Sequence, residues 1–161
     1  MIYFPLISGV MALVIAHRTA AALAPENSLQ GIEQAASCHA NWVEMDVRLS
    51  RDGELVLMHD ERVDRTSSGC GPVAERSLEE LKGLHLRNRD GSLDQSSTVP
   101  TLQEAVSLAR DLGLGLVVEM KEEGLEGLLA ESICREDCIV TSFYHASLRE
   151  LSEISSLKTG I

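Results

Sequence analysis

Strand-like and helix-like segments alternate along almost the whole chain, and that alternation is the signature of a parallel sheet covered by helices. The first segment, Ala12-Leu-Val-Ile-Ala16, reads as a buried strand. His17-Arg18 follows, then a loop of small residues and Pro25-Glu-Asn-Ser28. A helical spacing of apolar residues comes next (Leu29, Ile32, Ala35, Ala36), with Asn27 or Ser28 as its N-cap. Trp42 to Leu49 alternates apolar and polar residues at period two, as a strand does. Asp52-Gly53 marks a hairpin turn, and Leu55-Val-Leu-Met58 is the return strand, necessarily antiparallel, ending in His59-Asp60.

A Ser/Gly-rich loop (Thr66 to Gly71) leads to Ser77-Leu-Glu-Glu80, a capping box opening a short helix. The polar stretch Arg87 to Thr98 reads as a surface loop. Thr101-Leu-Gln-Glu104 opens a helix from Leu102 to Leu112 that Gly113 ends. A strand (Gly115 to Met120), a helix (Leu125 to Ile133), a strand (Cys138 to Phe143) and a helix (Ser147 to Leu157) complete the pattern. Gly113-Leu-Gly115 is no dinucleotide fingerprint, because it lacks the third glycine and precedes its strand. No repeat or interdomain linker interrupts residues 1–161, which read as one domain carrying a hairpin and small insertion over 48–98.

Charge narrows the chemistry. With 14 Lys+Arg against 25 Asp+Glu, the net charge of −11 excludes non-specific nucleic-acid binding, and 3% aromatics leaves no base-stacking platform. An anionic substrate would need a locally positive site or a bound cation. Cys38, Cys70, Cys134 and Cys138 fit neither a zinc site nor a disulfide framework and read as reduced thiols of a cytoplasmic protein. The apolar run Met1 to Ala16 is short for a membrane span and lacks the charged start of a signal peptide, so no stable membrane insertion is expected.

Three parallel strands carry charged residues toward their C-terminal ends: His17-Arg18, Glu44 with Asp46, and Glu119 with Lys121. In barrels and open α/β sheets that edge is where active sites are built. Residues two apart on a strand share a face, so Glu44 joins Asp46, and Glu119 joins Lys121. If Asp52-Gly53 forms a two-residue turn, Arg51 faces Glu54, and counting outward pairs Asp46 with His59. Three converging carboxylates either raise one another's pKa or bind a cation, and oxygen ligands of this kind suit Mg²⁺ or Ca²⁺. Arg18 and Lys121 supply positive charge for an anionic group, and two histidines supply an acid/base pair for phosphoryl chemistry.

Ile15-Ala-His-Arg18, Pro25-Glu-Asn27, Val43-Glu-Met-Asp-Val47, Asp52-Gly53 and His59-Asp60 together resemble the glycerophosphodiester phosphodiesterase family. Arg65-Thr66, Gly69, Gly71-Pro-Val73, Val99-Pro-Thr-Leu102, Val118-Glu-Met-Lys121 and Thr141-Ser-Phe143 continue the resemblance in order. It implies a TIM (β/α)8 barrel with a small insertion after the second strand. It also implies metal-dependent hydrolysis of glycerophosphodiesters to an alcohol and glycerol 3-phosphate. Under it, His17 and His59 are the general acid/base pair, Glu44, Asp46 and Glu119 the metal ligands, and Arg18 and Lys121 the phosphate contacts. The family's glycine after His-Arg is Thr19 here, so this turn must accommodate a side chain. His39, His85 and His145 match no motif and read as surface or capping residues, and Trp42 reads as packing.

A (β/α)8 barrel typically takes about 250 residues. Parallel strands near Leu13, Val43, Leu116 and Ile139, with a fifth beginning only at Ile161, make about the first half of one. The strands at Leu13 and Ile139 are then expected to present open edges that invite self-association, with turnover low for the arc alone. Two other readings stay open: an inactive or incomplete barrel fragment that keeps a divalent-cation site, and a related phosphodiesterase that cleaves phospholipids.

Overall fold

A computed structural model describes residues 13–133 and 137–161. Strand β1 (Ile15–Ala16) runs into a 3-10 turn (His17–Thr19), followed by α1 (Leu29–Ser37) and the long strand β2 (Trp42–Leu49). Next come β3 (Leu55–Leu57), a second 3-10 turn (Val73–Glu75), α2 (Leu78–Lys82), and the pair β4 (His85–Arg87) and β5 (Leu93–Thr98). The remainder is α3 (Leu102–Asp111), β6 (Gly115–Met120), α4 (Glu126–Ser132), β7 (Cys138–Ser142), α5 (His145–Ile154) and β8 (Lys158–Gly160).

The main sheet has the order β1-β2-β6-β7-β8, with every one of these neighbours parallel, and β3 pairs antiparallel with β2. Alternation along the strands decides what reaches the site. Val43, Met45 and Val47 of β2 and Leu116, Val118 and Met120 of β6 enter the main core with Ile32, Leu102, Ala105, Leu129 and Leu151 from the helices. Their neighbours Glu44, Asp46 and Glu119 must therefore leave by the opposite face, the inner face of a barrel. A second apolar cluster (Val56, Met58, Val63, Val73, Leu81, Leu86, Val99) is built from the chain between β2 and α3.

Both expected capping boxes are formed, Ser77 with Glu80 and Thr101 with Glu104, and the N-cap of α1 is Ser28 rather than Asn27. Four expectations are corrected. The hairpin turn has three residues: Leu49 pairs with Leu55, and the Ser50 N–H donates to the Glu54 carbonyl at 2.9 Å. Gly53 takes φ 87°, the left-handed residue that a three-residue hairpin loop requires. The register therefore moves by one, the Met58 N–H donates to the Asp46 carbonyl, and His59 does not stand opposite Asp46.

The stretch Arg87 to Thr98 is no loop, because β5 pairs there with β4 around the turn Asn88–Ser92. Its strand LDQSST offers no apolar alternation to read. The first strand is exposed rather than buried, with Leu13 at 62% and Ile15 at 47%, and Ala12 lies outside the described residues. Finally, the fifth parallel strand begins at Lys158, so among the described residues the sheet's edge strands are β1 and β8, and β7 is not an edge.

Two glycines mark close approaches. A Cβ on Gly115 would fall 2.4 Å from the Trp42 ring, which confirms Trp42 as a packing residue. A Cβ on Gly31 would fall 1.8 Å from the Thr19 carbonyl oxygen, so α1 sits directly against the turn after β1. Gly31→Ala is expected to destabilise the protein by roughly 1–3 kcal/mol, as overpacking does, by pushing on that turn. A urea midpoint unchanged from wild type would show that the contact is not tight.

Candidate active site

The turn after β1 carries three consecutive non-glycine residues in the left-handed region: Arg18 (φ 47°), Thr19 (φ 55°) and Ala20 (φ 68°). Such residues cost roughly 1–3 kcal/mol each unless their surroundings hold them. Here the surroundings do. Thr19 is fully buried and its hydroxyl accepts the Ser28 N–H at 2.9 Å, while the Asn27 N–H donates to the Arg18 carbonyl. The side chain that replaces the family's glycine is thus a ligand for the loop that follows. The same turn aims the Arg18 N–H at Glu44 Oε2, 2.6 Å away.

Carboxylate oxygens of Glu44, Asp46 and Glu119 lie within 4.8 Å of one another. Asp46 and Glu119 are register partners across β2 and β6. Asn27 fixes Asp46 at two points, donating to Oδ2 at 2.8 Å and accepting the Asp46 N–H at 3.1 Å. Lys121 Nζ stands 2.8 Å from Glu119 Oε1 and 3.6 Å from Asp46 Oδ1. Arg18 Nε lies 3.8 Å from Asp46 Oδ2, and His17 Nε2 lies 3.9 Å from Glu44 Oε2.

Burial pushes the Glu44 carboxyl up to about 7, with the Asp46 and Glu119 charges adding to it and the Arg18 N–H opposing. Among the described residues, Glu44 Oε1 and Asp46 Oδ1 are both buried and accept no hydrogen bond. Buried carboxylate oxygens without a hydrogen bond are costly, and a hard divalent cation is the partner this donor set fits.

His59 is reached by a different route. Its Nδ1 lies 2.7 Å from Asp60 Oδ1. Arg65 bonds Asp60 through Nε (2.6 Å) and Nη2 (3.0 Å), and holds its carboxyl down at about 2, with the His59 contact adding. The same guanidinium bonds Glu26 through Nη1 (2.7 Å) and Nη2 (2.8 Å). Glu26 also accepts from Arg18 Nη1 at 3.3 Å. Burial alone would raise the Glu26 carboxyl, but the Arg65 bonds and the Arg18 charge keep it low.

His17, Arg18, Glu44, Asp46, Glu119 and Lys121 are therefore one contact network, and His59 is joined to it through Asp60, Arg65, Glu26 and Arg18. The sequence offered Asn27 only as a candidate N-cap and assigned no role to Glu26, Asp60 or Arg65. All four lie inside motifs that carried the resemblance, which was the available signal. No other histidine enters the acidic group: His85 sits in β4, His145 opens α5, and His39 follows α1. Cys38 and Cys70 are exposed free thiols, Cys138 is buried, and Cys134 lies outside the described residues.

A family model described as the glycerophosphoryl diester phosphodiesterase family matches residues 17–156. The chain belongs to that family. A glycerophosphodiester phosphodiesterase of Caldanaerobacter subterraneus is 36% identical over 159 residues, covering 92% of this chain and 65% of the relative. Human glycerophosphodiester phosphodiesterase 1 is 39% identical over 111 residues, covering 66% of this chain and 33% of the relative. An Oleispira antarctica phosphodiesterase solved with its product sn-glycerol-3-phosphate superposes with TM-score 0.81 at 32% identity, covering 92% of this chain and 65% of that one.

A Thermotoga maritima glycerophosphodiester phosphodiesterase gives TM-score 0.76 at 31% identity, with coverages of 92% and 61%. The parallel sheet is thus an arc of this family's (β/α)8 barrel, and the chain spans slightly under two thirds of the length of the three bacterial phosphodiesterases and about one third of the human one.

Proposed function

We propose that the chain carries the catalytic half of a metal-dependent glycerophosphodiester phosphodiesterase, which hydrolyses its substrate to an alcohol and glycerol 3-phosphate. The buried oxygens of Glu44 and Asp46 that accept no hydrogen bond among the described residues carry this reading, because a cation would satisfy them and Arg18, Lys121 and His17 stand beside the same carboxylates. Glu44, Asp46 and Glu119 would hold Mg²⁺ or Ca²⁺, which when bound polarises phosphoryl oxygens. Arg18 and Lys121 would contact the phosphate. One histidine of the pair His17 and His59 would accept the proton of the attacking hydroxyl, and the other would protonate the departing alcohol oxygen. The product named for the Oleispira antarctica protein agrees with this substrate class.

The test is release of glycerol 3-phosphate from diesters with choline, ethanolamine or glycerol head groups, abolished by EDTA and restored by Mg²⁺ or Ca²⁺. Absence of release from all three, with cation binding intact by calorimetry, would leave the cation-binding fragment as the correct reading. Coverage of 65% of a related phosphodiesterase favours keeping that reading in the test. Calorimetry also separates the roles within the site. Alanine at Glu44, Asp46 or Glu119 is expected to weaken cation binding, whereas Lys121→Ala spares it and weakens phosphate binding, since Lys offers no acceptor. Unchanged affinity in all three carboxylate variants would refute the site.

The phospholipid-cleaving reading gains no support from a membrane helix, for no described helix is long and apolar enough to cross a bilayer. A cytoplasmic setting and a single partial domain with its insertion at 48–98 complete the reading. Among the described residues β1 pairs only with β2 and β8 only with β7, and Leu13, Val14 and Ile15 are 62, 50 and 47% exposed. Self-association through these open edges is expected, and a monodisperse monomer by light scattering at micromolar concentration would exclude it.

A further inference from the structure

Arg65 lies in the insertion, 39 residues from Glu26, yet its one guanidinium engages two carboxylates at once. On one side it takes both oxygens of Asp60, and on the other both oxygens of Glu26. Each carboxylate then touches a residue of the proposed machinery: Asp60 the His59 ring, and Glu26 the Arg18 guanidinium. Among the described residues no other side chain bonds both Asp60 and Glu26. Planar, two-sided recognition of this kind is what a guanidinium provides and a lysine ammonium, a point charge on a flexible stem, does not.

We propose that Arg65 is a positioning residue: by bridging Asp60 and Glu26 it sets the His59 ring and the Arg18 guanidinium together, one clamp serving the proton-transfer group and the phosphate contact. The inference rests on the roles proposed above for His59 and Arg18. An ionised Asp60 can only accept, so the proton it shares with His59 sits on Nδ1, and Nε2 is the nitrogen left to exchange a proton with substrate. Glu26 likewise holds one edge of Arg18 and leaves Nε toward Asp46. The bridge also ties the insertion to the loop between β1 and α1, so a displaced insertion would misplace both groups at once.

The experiment is nitrogen-15 NMR of the metal-free 161-residue protein above the titration of the histidine rings, with His59→Gln and Arg18→Lys used to assign the two resonances. Wild type is expected to show His59 as the Nδ1–H tautomer and a single Arg18 Nε–H signal. Arg65→Ala and the milder Arg65→Lys are expected to mix the His59 tautomers and to shift or broaden Arg18 Nε–H, the effect passing through Asp60 and Glu26. If the alanine variant does not fold, Arg65→Lys decides, with its amide spectrum as the folding control.

Where turnover is measured, Arg65→Lys should lower kcat about 10–100-fold, the range for a second-layer partner of a catalytic group. An unchanged His59 tautomer together with an unchanged Arg18 signal in Arg65→Lys would overturn the proposal, whatever its turnover. If wild type releases no glycerol 3-phosphate while both signals still move, the clamp stands and the hydrolase reading falls.

Discussion

The metal-free protein should lose stability as pH rises from about 4.5 to about 7, and Mg²⁺ or Ca²⁺ should reverse the loss. Glu44 is the cause. Its carboxyl is pushed up from the ordinary 4.5 to about 7, first by burial and then by the charges of Asp46 and Glu119. A carboxyl raised in this way holds its proton in the native state after the unfolded chain has released it. The native state then binds more protons through that window, and stability falls as pH rises. A rise from 4.5 to about 7 corresponds to roughly 3 kcal/mol.

The lowered carboxyls of Asp60 and Glu26 act with the opposite sign: their stabilisation is present above their unfolded values and is lost as pH falls through the folded ones. Glu44→Gln removes the titrating proton while keeping the shape. It should flatten the dependence between pH 4.5 and 7 and be more stable than wild type at pH 8 without metal. At a hundred times its dissociation constant the cation should add about 2.7 kcal/mol to wild type at pH 8, and clearly less to Glu44→Gln. Urea denaturation at fixed pH measures both. Parallel pH profiles for the two proteins would place the titration elsewhere.

Much of the site was legible because a strand of period two sorts its residues by face without help from the rest of the fold. In β2, burying Val43, Met45 and Val47 leaves Glu44 and Asp46 on the inner face, and β6 does the same for Glu119. Capping boxes are equally local, which is why the starts of α2 and α3 were predictable. The hairpin count failed on a local ambiguity. Asp-Gly serves a two-residue turn or the end of a three-residue loop, and the choice is settled by Ser50, whose hydroxyl bonds Asp52 and accepts the Glu54 N–H.

The β4–β5 pair was invisible because β4 is three residues long with only Leu86 buried in the apolar cluster, and β5 (LDQSST) pairs through main-chain bonds with no apolar alternation. The Arg65 bridge was invisible for a different reason. Its partners are one charge pair among many in a chain with 24% charged residues, and only the folded insertion brings Asp60 and Glu26 to the same guanidinium. Thr19 shows the reverse case. The family resemblance marks it as a departure, and the fold shows that its hydroxyl holds the neighbouring loop.

The histidines should show the largest kinetic effect. His17→Ala and His59→Ala are each expected to lower kcat by about 10²–10⁴-fold, the range for removal of a positioned general acid or base. Their structural settings make different side effects. The His17 side chain is 73% exposed and its only described ion pair is the 3.9 Å contact with Glu44, so its loss should leave the urea midpoint within about 0.5 kcal/mol of wild type.

The His59 ring is 30% exposed and bonded to Asp60, whose carboxylate keeps both bonds to Arg65 when the ring is removed. His59→Ala should therefore cost modest stability without unfolding the insertion. Asp60→Asn makes the sharper companion. It keeps the ring but replaces the acceptor by an amide that can donate to Nδ1, favouring the wrong tautomer and weakening the Arg65 bridge. It should lower kcat nearly as far as His59→Ala while the substrate KM changes less, because Glu26 keeps its own bonds to Arg65 and to the phosphate contact Arg18. Wild-type turnover in either alanine variant would remove that histidine from the proton-transfer pair. Wild-type turnover in Asp60→Asn alone would leave His59 in place and show that its tautomer is set by something other than Asp60.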